Sequence, residues 1–383
     1  MFSTTAKIGI LGGGQLGKML CEAAAPWDLH TCVLETSADC PASTVCKELQ
    51  VGDFRKYEDV MAFGQDKDLL TIEIEQVNTQ ALRDLEAAGK TVHPRPAALE
   101  IIQDKGLQKQ FYQDRELPTA AFELFENEQA LVAAVQEGRW KLPFVQKART
   151  DGYDGKGVAI LRRPEDLDNK LLKGPCLAEA LAPIRMEIAV IAARNANDEV
   201  AVFPPVEMDF HPEANLVEFL LCPARISPLE AARAEALAEQ VIRAFDICGL
   251  LAVEMFLTDS GEILINEVAP RPHNSGHHSI DSAVTSQYQQ HLRAICNLPL
   301  GDTAQTQPAV MLNLLGEAGH KGPVRYEGAA EALRIPGVYL HLYGKKMTAP
   351  FRKMGHVTIT GATAEIALEK AQTVKKLLKV IAQ

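Results

Sequence analysis

The order of strand and helix signals predicts an α/β protein, α+β overall, built in two or three domains. Short β-branched and apolar runs alternate with amphipathic stretches from the N-terminus onward, the pattern of layered sheets and helices. A chain of 383 residues is long for one hydrophobic core. The pattern also changes character twice, after Pro94-Arg95-Pro96 and again near Arg185.

Residues 7–11 read as a short buried strand, an apolar run that stops at a glycine turn over 12–17. A helix follows over 18–25, a strand over 31–34 ending at Glu35, and a strand over 68–75 whose end carries Glu73 and Glu75 on one face. Helix 78–88 and strand 91–93 lead to the two prolines, beyond which a helix runs on through Lys105. A compact second unit has strand 143–148, a glycine loop, strand 157–161, helix 164–172 and strand 176–180. The third begins with strands 186–193, 200–206 and 216–221, and a long helix over 228–245. A hairpin over 250–267 and a helix over 286–296 follow. Strands 310–315, 338–343 and 356–360 and a lysine-rich helix 363–381 complete the chain.

The formal charge of −11 argues against nucleic-acid binding, which needs a basic surface. No run of about 18 apolar residues marks a membrane span, and the first residues lack a secretory apolar core. Eight cysteines without a C-x-x-C pair or a compact framework read as reduced packing cysteines of a cytoplasmic protein.

The hairpin carries the chemistry. Glu254 and Glu267 lie on its two arms, around a turn at Thr258-Asp259-Ser260-Gly261. With Leu257 opposite Glu262, Glu254 would face Ile265, and Glu267 would be its same-face diagonal neighbour. Two acids on an apolar face need a neutralising cation, and Mg²⁺ suits one or two carboxylates completed by water and phosphate oxygens. Simple alternation turns Asn266 the other way, unless the strand bulges. The same residues also fit a pair of solvated edge-strand glutamates. Beyond them, Arg271, His273, Asn274, Ser275, His277 and His278 crowd a loop held irregular by Pro270, Pro272 and Gly276. Arg271 is suited to bidentate recognition of carbonate or phosphate, and the three imidazoles leave a zinc site open.

Two glycine loops add anion sites. Gly12, Gly14 and Gly17 match G-x-G-x-x-G between strand and helix, with Glu35 18 positions on, which admits a dinucleotide and hence an NAD-dependent oxidoreductase. The second loop, with Gly152, Gly155 and Gly157, is flanked by Lys147 and holds Lys156. It lets backbone N–H groups approach phosphate and lets the loop act as a flap. Lys345, Lys346, Arg352 and Lys353 form a basic cluster that could seat a phosphate monoester.

Together these residues resemble the ATP-grasp superfamily and, within it, the 5-(carboxyamino)imidazole ribonucleotide synthases, the ATPase subunits of phosphoribosylaminoimidazole carboxylase. The resemblance rests on G-G-G-Q-L-G-K-M, Q-D-K-G-L-Q-K-Q, D-G-Y-D-G-K-G, N-E-V-A-P-R-P-H-N-S-G-H and F-R-K-M-G-H. It implies a Rossmann-like domain over 1–105, a small mobile lid over 106–182, and a C-terminal catalytic domain over 183–383 with a β/α module from about 305. It also implies ATP-dependent carboxylation of 5-aminoimidazole ribonucleotide by bicarbonate, through carboxyphosphate, in purine biosynthesis. Lys105 and Lys147 would contact ATP phosphates under a flap of Gly152, Tyr153, Asp154, Gly155, Lys156, Gly157 and Val158. Glu179, Ala180, Leu181 and Ala182 would line the adenine, Glu187 the ribose, with His211 alongside. Glu254, Glu267 and Asn266 would hold Mg²⁺, or Mn²⁺ in its place. Gln15, Glu75, Tyr153, His273, Asn274 and Ser275 would contact the ribonucleotide, with Lys345, Arg352 and Lys353 at its phosphate. Arg271 would hold carboxyphosphate, and Asp154 or His273 would take the proton. A cytoplasmic homodimer is implied, and a formate-dependent glycinamide ribonucleotide transformylase is the nearest alternative.

Overall fold

A computed structural model describes residues 3–150, 157–210 and 216–383. Five parallel strands form the first sheet, in the order Glu48–Val51, His30–Glu35, Lys7–Leu11, Leu69–Ile72 and Thr91–Val92. The edge strand Glu48–Val51 was not expected, because it is largely exposed and carries no burial pattern to read. Helix Gln15–Ala24 lays Leu16, Met19 and Leu20 on Ile8 and Ile10, and the same cluster takes in Tyr288, Leu292 and Tyr343 from far along the chain. The first sheet is thereby packed onto the last third of the protein.

A four-stranded antiparallel sheet follows, ordered Phe122–Phe125, Cys176–Ala180, Phe144–Ala148 and Val158–Leu161. Helix Glu128–Gln136 covers it with Leu131 and Ala134. The expected helix over 164–172 shrinks to Asp166–Asn169.

The third sheet is the scaffold of the site. Its path runs Ile263–Ala269, Gly249–Thr258, Ile184–Arg194, Val206–Phe210, Val217–Cys222, Ala309–Leu315, Lys353–Thr360 and Val338–Leu342, with Val200–Val202 beside Ile184–Arg194. Strand Ala309–Leu315 pairs with Val217–Cys222, so the chain beyond residue 305 extends the same sheet. Helix Pro228–Ala244 opens with a capping box between Ser227 and Glu230, satisfying N–H groups that a helix start leaves unpaired. It buries Ala234, Leu237, Ala238, Val241 and Ile242 against Ile188, Val190, Leu251, Val253, Met255, Leu257 and Ile265. These strand residues alternate with Glu187, Ala189 and Glu254, which therefore occupy the opposite face.

Two differences from expectation have local causes. The helix expected to run through Lys105 breaks at Asp104, whose carboxylate accepts the N–H groups of Gly106 and Leu107 and starts a second helix, Lys105–Asp114. The terminal helix stops at Leu377, and Lys379–Ala382 becomes a strand on Gly322–Glu327. That partner lies more than fifty residues earlier and leaves no local trace. No helix among the described residues is long and apolar enough to cross a membrane.

Truncating Leu257 to Ala, under the long helix, should cost about 2–5 kcal/mol of stability. Ser227→Ala should cost about 1 kcal/mol through the lost cap. Shifts of the denaturant midpoint at unchanged ATP KM would verify both.

Candidate active site

The hairpin forms, in a different register. Leu257 faces Ile263, Phe256 faces Leu264 and Met255 faces Ile265; the pairing then slips, and Glu254 stands directly opposite Glu267. Two one-residue shifts produce this. The three-residue loop Asp259-Ser260-Gly261, with Gly261 at φ 78°, closes with the Thr258 N–H donating to the Glu262 carbonyl, a bulged turn rather than an even-numbered one. Asn266 is then the extra residue of a β-bulge. The bulge lets Asn266 and Glu267 share the face of Glu254, and Lys147 Nζ donates to Asn266 Oδ1 at 2.8 Å.

Lysines surround the acids. Lys105, at the first position of its helix, pairs with Glu267. Lys147 lies 2.9 Å and Lys109 3.2 Å from Glu179, all three buried. Burial pushes the Glu254 carboxyl up, as do the charges of Glu267 and Glu187. Burial works the same way on Glu267, but Lys105, followed by Lys147, outweighs it and holds that carboxyl below its ordinary value. Burial raises Glu187 as well. Among the described residues, no lysine forms an ion pair with Glu254 or Glu187 on this face, and Glu267 is the acid that Lys105 meets. Two opposed carboxylates and a bulged amide oxygen fit Mg²⁺, which keeps positions for water and phosphate. Among the described residues, His30, Cys32 and Glu48 form a His/Cys/acid group with ligand atoms within 4.8 Å of one another, and it lies elsewhere, on the edge of the first sheet.

The three imidazoles diverge, which removes the zinc alternative. His273 Nε2 lies 3.4 Å from Glu254 and its Nδ1 2.9 Å from Ser275 Oγ. His277 Nδ1 meets Gln287 and Tyr288, and His278 Nδ1 meets Ser282. Arg271 Nε lies 2.9 Å from Glu75, joining the loop to the end of the first sheet.

Glu73 does something different from its neighbour Glu75. It accepts the N–H groups of Gly14 at 2.8 Å and Gly17 at 2.7 Å, while Glu35 accepts that of Gly13 at 2.8 Å. A Cβ at Gly14 would sit 2.6 Å from Glu73 Oε1, so glycine is what lets the carboxylate in. The chain thus places its own anions where a dinucleotide pyrophosphate would lie, and the oxidoreductase reading loses its cradle.

The other expected residues are distributed over several elements. Gln15 opens the glycine-turn helix. Val158 pairs with Lys147 in the four-stranded sheet, beside Gly157. Ala180 ends its strand, and Leu181 and Ala182 link it to Ile184–Arg194. Glu187 pairs with Phe256. Asn274 and Ser275 form a short turn after His273. Lys353 acts on Glu254 through its charge, and Lys345 Nζ donates to the Lys353 carbonyl. Arg352 is exposed and donates to the Met347 carbonyl. Gly152, Tyr153, Asp154, Gly155, Lys156 and His211 lie outside the described residues. Sequence reasoning missed Lys109, although its position four residues after Lys105, on the same helix face, was a readable signal.

Burial opposes ionisation of Glu179, but Lys147 and Lys109 outweigh it and hold its carboxyl below 4.5. Its stabilising charge is therefore complete above about pH 4.5 and lost as pH falls through the lowered folded value. Glu179→Gln should cost about 3–5 kcal/mol at neutral pH by leaving buried lysines unpaired. In urea unfolding the gap from the parent should close in acid.

With this geometry in hand, three domain families cover the chain. The ribonucleotide synthetase preATP-grasp domain matches residues 5–103, the ATP-grasp domain 110–288, and the phosphoribosylaminoimidazole carboxylase C-terminal domain 309–370. The chain is 38% identical over 356 residues to the N5-carboxyaminoimidazole ribonucleotide synthase of Brucella melitensis, covering 92% of this chain and 95% of that protein. It is 36% identical over 364 residues to the chloroplastic phosphoribosylaminoimidazole carboxylase of Vigna aconitifolia, covering 93% of this chain but 64% of that one. The chain therefore spans just under two thirds of the plant carboxylase's length. The crystal structure of N5-carboxyaminoimidazole ribonucleotide synthetase from Thermotoga maritima superposes with a TM-score of 0.91 at 43% identity, over 99% of this chain and 100% of that one. The synthase from Aspergillus clavatus, solved with ADP and 5-aminoimidazole ribonucleotide, gives 0.89 at 32% identity over 98% of each. Sequence and architecture agree from end to end, and the chain belongs to the N5-carboxyaminoimidazole ribonucleotide synthase family of ATP-grasp proteins.

Proposed function

We propose that this chain uses ATP and bicarbonate to carboxylate the exocyclic amine of 5-aminoimidazole ribonucleotide, forming 5-(carboxyamino)imidazole ribonucleotide, ADP and phosphate in purine biosynthesis. The observation that carries the reading is the direct opposition of Glu254 and Glu267, with Lys105 on Glu267, Lys147 on bulged Asn266, and Lys147 and Lys109 together on Glu179. An ATP-grasp relative holding both ADP and the ribonucleotide supports the choice of substrates.

A bicarbonate oxygen attacks the γ-phosphorus of ATP, the bond to the β-phosphate oxygen breaks, and ADP leaves carboxyphosphate behind. Mg²⁺ held by Glu254, Glu267 and Asn266 would supply charge neutralisation for the triphosphate. The protein's own part is positioning. Lys105 and Lys147 are held in place by Glu267, Asn266 and Glu179, and phosphate oxygens can take over those contacts without a search for geometry. Lys109 stays on Glu179 and keeps that carboxylate neutralised when Lys147 turns to the nucleotide. Arg271, steadied by Glu75, holds the carboxyphosphate anion. The amine nitrogen then attacks the carboxyl carbon, phosphate departs, and the amine proton passes to Asp154 or His273. Exclusion of water matters because carboxyphosphate hydrolyses readily, which is the role of the glycine flap over 152–158. Lys353, Lys345 and Arg352 seat the ribonucleotide phosphate. We propose further that the enzyme works as a cytoplasmic homodimer, with no nucleic-acid or membrane partner.

ADP release that requires both bicarbonate and 5-aminoimidazole ribonucleotide tests the reaction. Release with formate and glycinamide ribonucleotide instead would move the chain to the transformylase alternative. Glu267→Gln should abolish Mg²⁺-dependent ATP turnover with circular dichroism unchanged; near-parental turnover would overturn the metal assignment. Lys353→Ala should raise the KM for the ribonucleotide far more than that for ATP, and an effect confined to ATP would refute the phosphate seat.

A further inference from the structure

We propose that Gln287 is a positioning residue for the ribonucleotide side of this site: it clamps the backbone of His273 and, through His277, ties it to the strand bearing Lys353. The inference rests on the functional reading above and adds to it a residue outside the expected site.

Gln287 is the first residue of helix Gln287–Ile295 and is fully buried. Its Oε1 accepts the His273 N–H at 2.8 Å, and its Nε2 donates to the His273 carbonyl at 2.8 Å. One side-chain amide thus satisfies both polar groups of a single loop residue, as a neighbouring strand would. Glutamate lacks the donor, leucine has neither group, and asparagine is one methylene short. The clamp is itself held. Ser286 and Gln289 form a capping box, and the Gln287 N–H donates to Ser279 Oγ at 2.9 Å. A Cβ on Gly276 would come within 2.6 Å of the Gln287 amide carbon and oxygen, so glycine is required for the close approach.

The same amide reaches His277 Nδ1 at 3.1 Å. The His277 ring packs on His356 with centroids 4.6 Å apart, and His356 stacks on His341 at 4.5 Å and meets the Tyr343 hydroxyl at 3.1 Å. His356 belongs to strand Lys353–Thr360. The loop that aims His273 at Glu254 and the strand that starts with Lys353 are therefore joined by buried contacts. The lysines on the nucleotide side hang from other elements, helix Lys105–Asp114 and strand Phe144–Ala148. Loosening the clamp should displace the ribonucleotide and its reacting amine while sparing ATP.

Steady-state kinetics on the full chain, with Gln287→Leu and Gln287→Glu, tests this. Gln287→Leu should lower kcat/KM for the ribonucleotide by about 10- to 100-fold, the scale of a misplacement near one ångström. The ATP KM should stay within about twofold, the sign that uniform ATP binding is intact. Gln287→Glu keeps the acceptor and should fall between. Equal losses for both substrates, or parental kinetics in Gln287→Leu, would overturn the proposal. If Gln287→Leu does not fold, the same split in Gln287→Glu decides. A parent chain without ribonucleotide-dependent ADP release would overturn the functional reading and the clamp together; an active parent with unsplit variants rejects the clamp alone.

Discussion

Two half-buried carboxylates face one another across a single strand pair, and the molecule around them is arranged to make that tolerable. Like charges so placed repel, and burial sharpens the cost. Lys105 stabilises one of them, Glu267. Glu254 has His273 at 3.4 Å and Lys353 at longer range, which leaves room for a cation. The opposition depends on the three-residue turn and on one bulge. Without the bulge, Glu254 would stand opposite Asn266, and Glu267 would turn toward the long helix.

The three sheets then have separable tasks. The nine-stranded sheet holds the acids, with helix Pro228–Ala244 sealing its other face. The four-stranded sheet brings Lys147 and Glu179 over them. The first sheet contributes Glu75 to Arg271 and presses helix Gln15–Ala24 against helix Gln287–Ile295. Its glycine turn looks like a nucleotide site but binds the chain's own Glu73 and Glu35. An anion-binding helix start has become a structural joint, with both partners supplied internally.

Charge is deployed with the same economy. Lys109 and Lys147 share Glu179, so the carboxylate keeps a counter-ion if either lysine moves away. A buried unpaired charge, expensive in a low-dielectric interior, is thereby avoided. The buried polar groups beneath the loop after Glu267 are joined in a similar way: Gln287 is hydrogen-bonded to His277 and Tyr343 to His356, and the two imidazoles pack ring to ring.

The residue types of the site, and most strands and helices, were legible in the linear chain. Alternating apolar runs, glycine turns and clustered acids are local signals, and they located the hairpin, the polar loop after it and Lys147, whereas Lys105 came from the family resemblance and Lys109 was missed. Tertiary structure alone decided the hairpin register, the place of Asn266 beside the acids and the capture of Glu73 by the glycine turn. It also decided the pairing of residues 379–382 with a strand more than fifty residues earlier, and the meeting of Lys109 with Glu179. Each of these depends on a one-residue shift or on a partner distant in sequence. A strand's periodicity of two says which residues share a face but not which residue stands opposite; that choice is made by turns, bulges and long-range packing acting together.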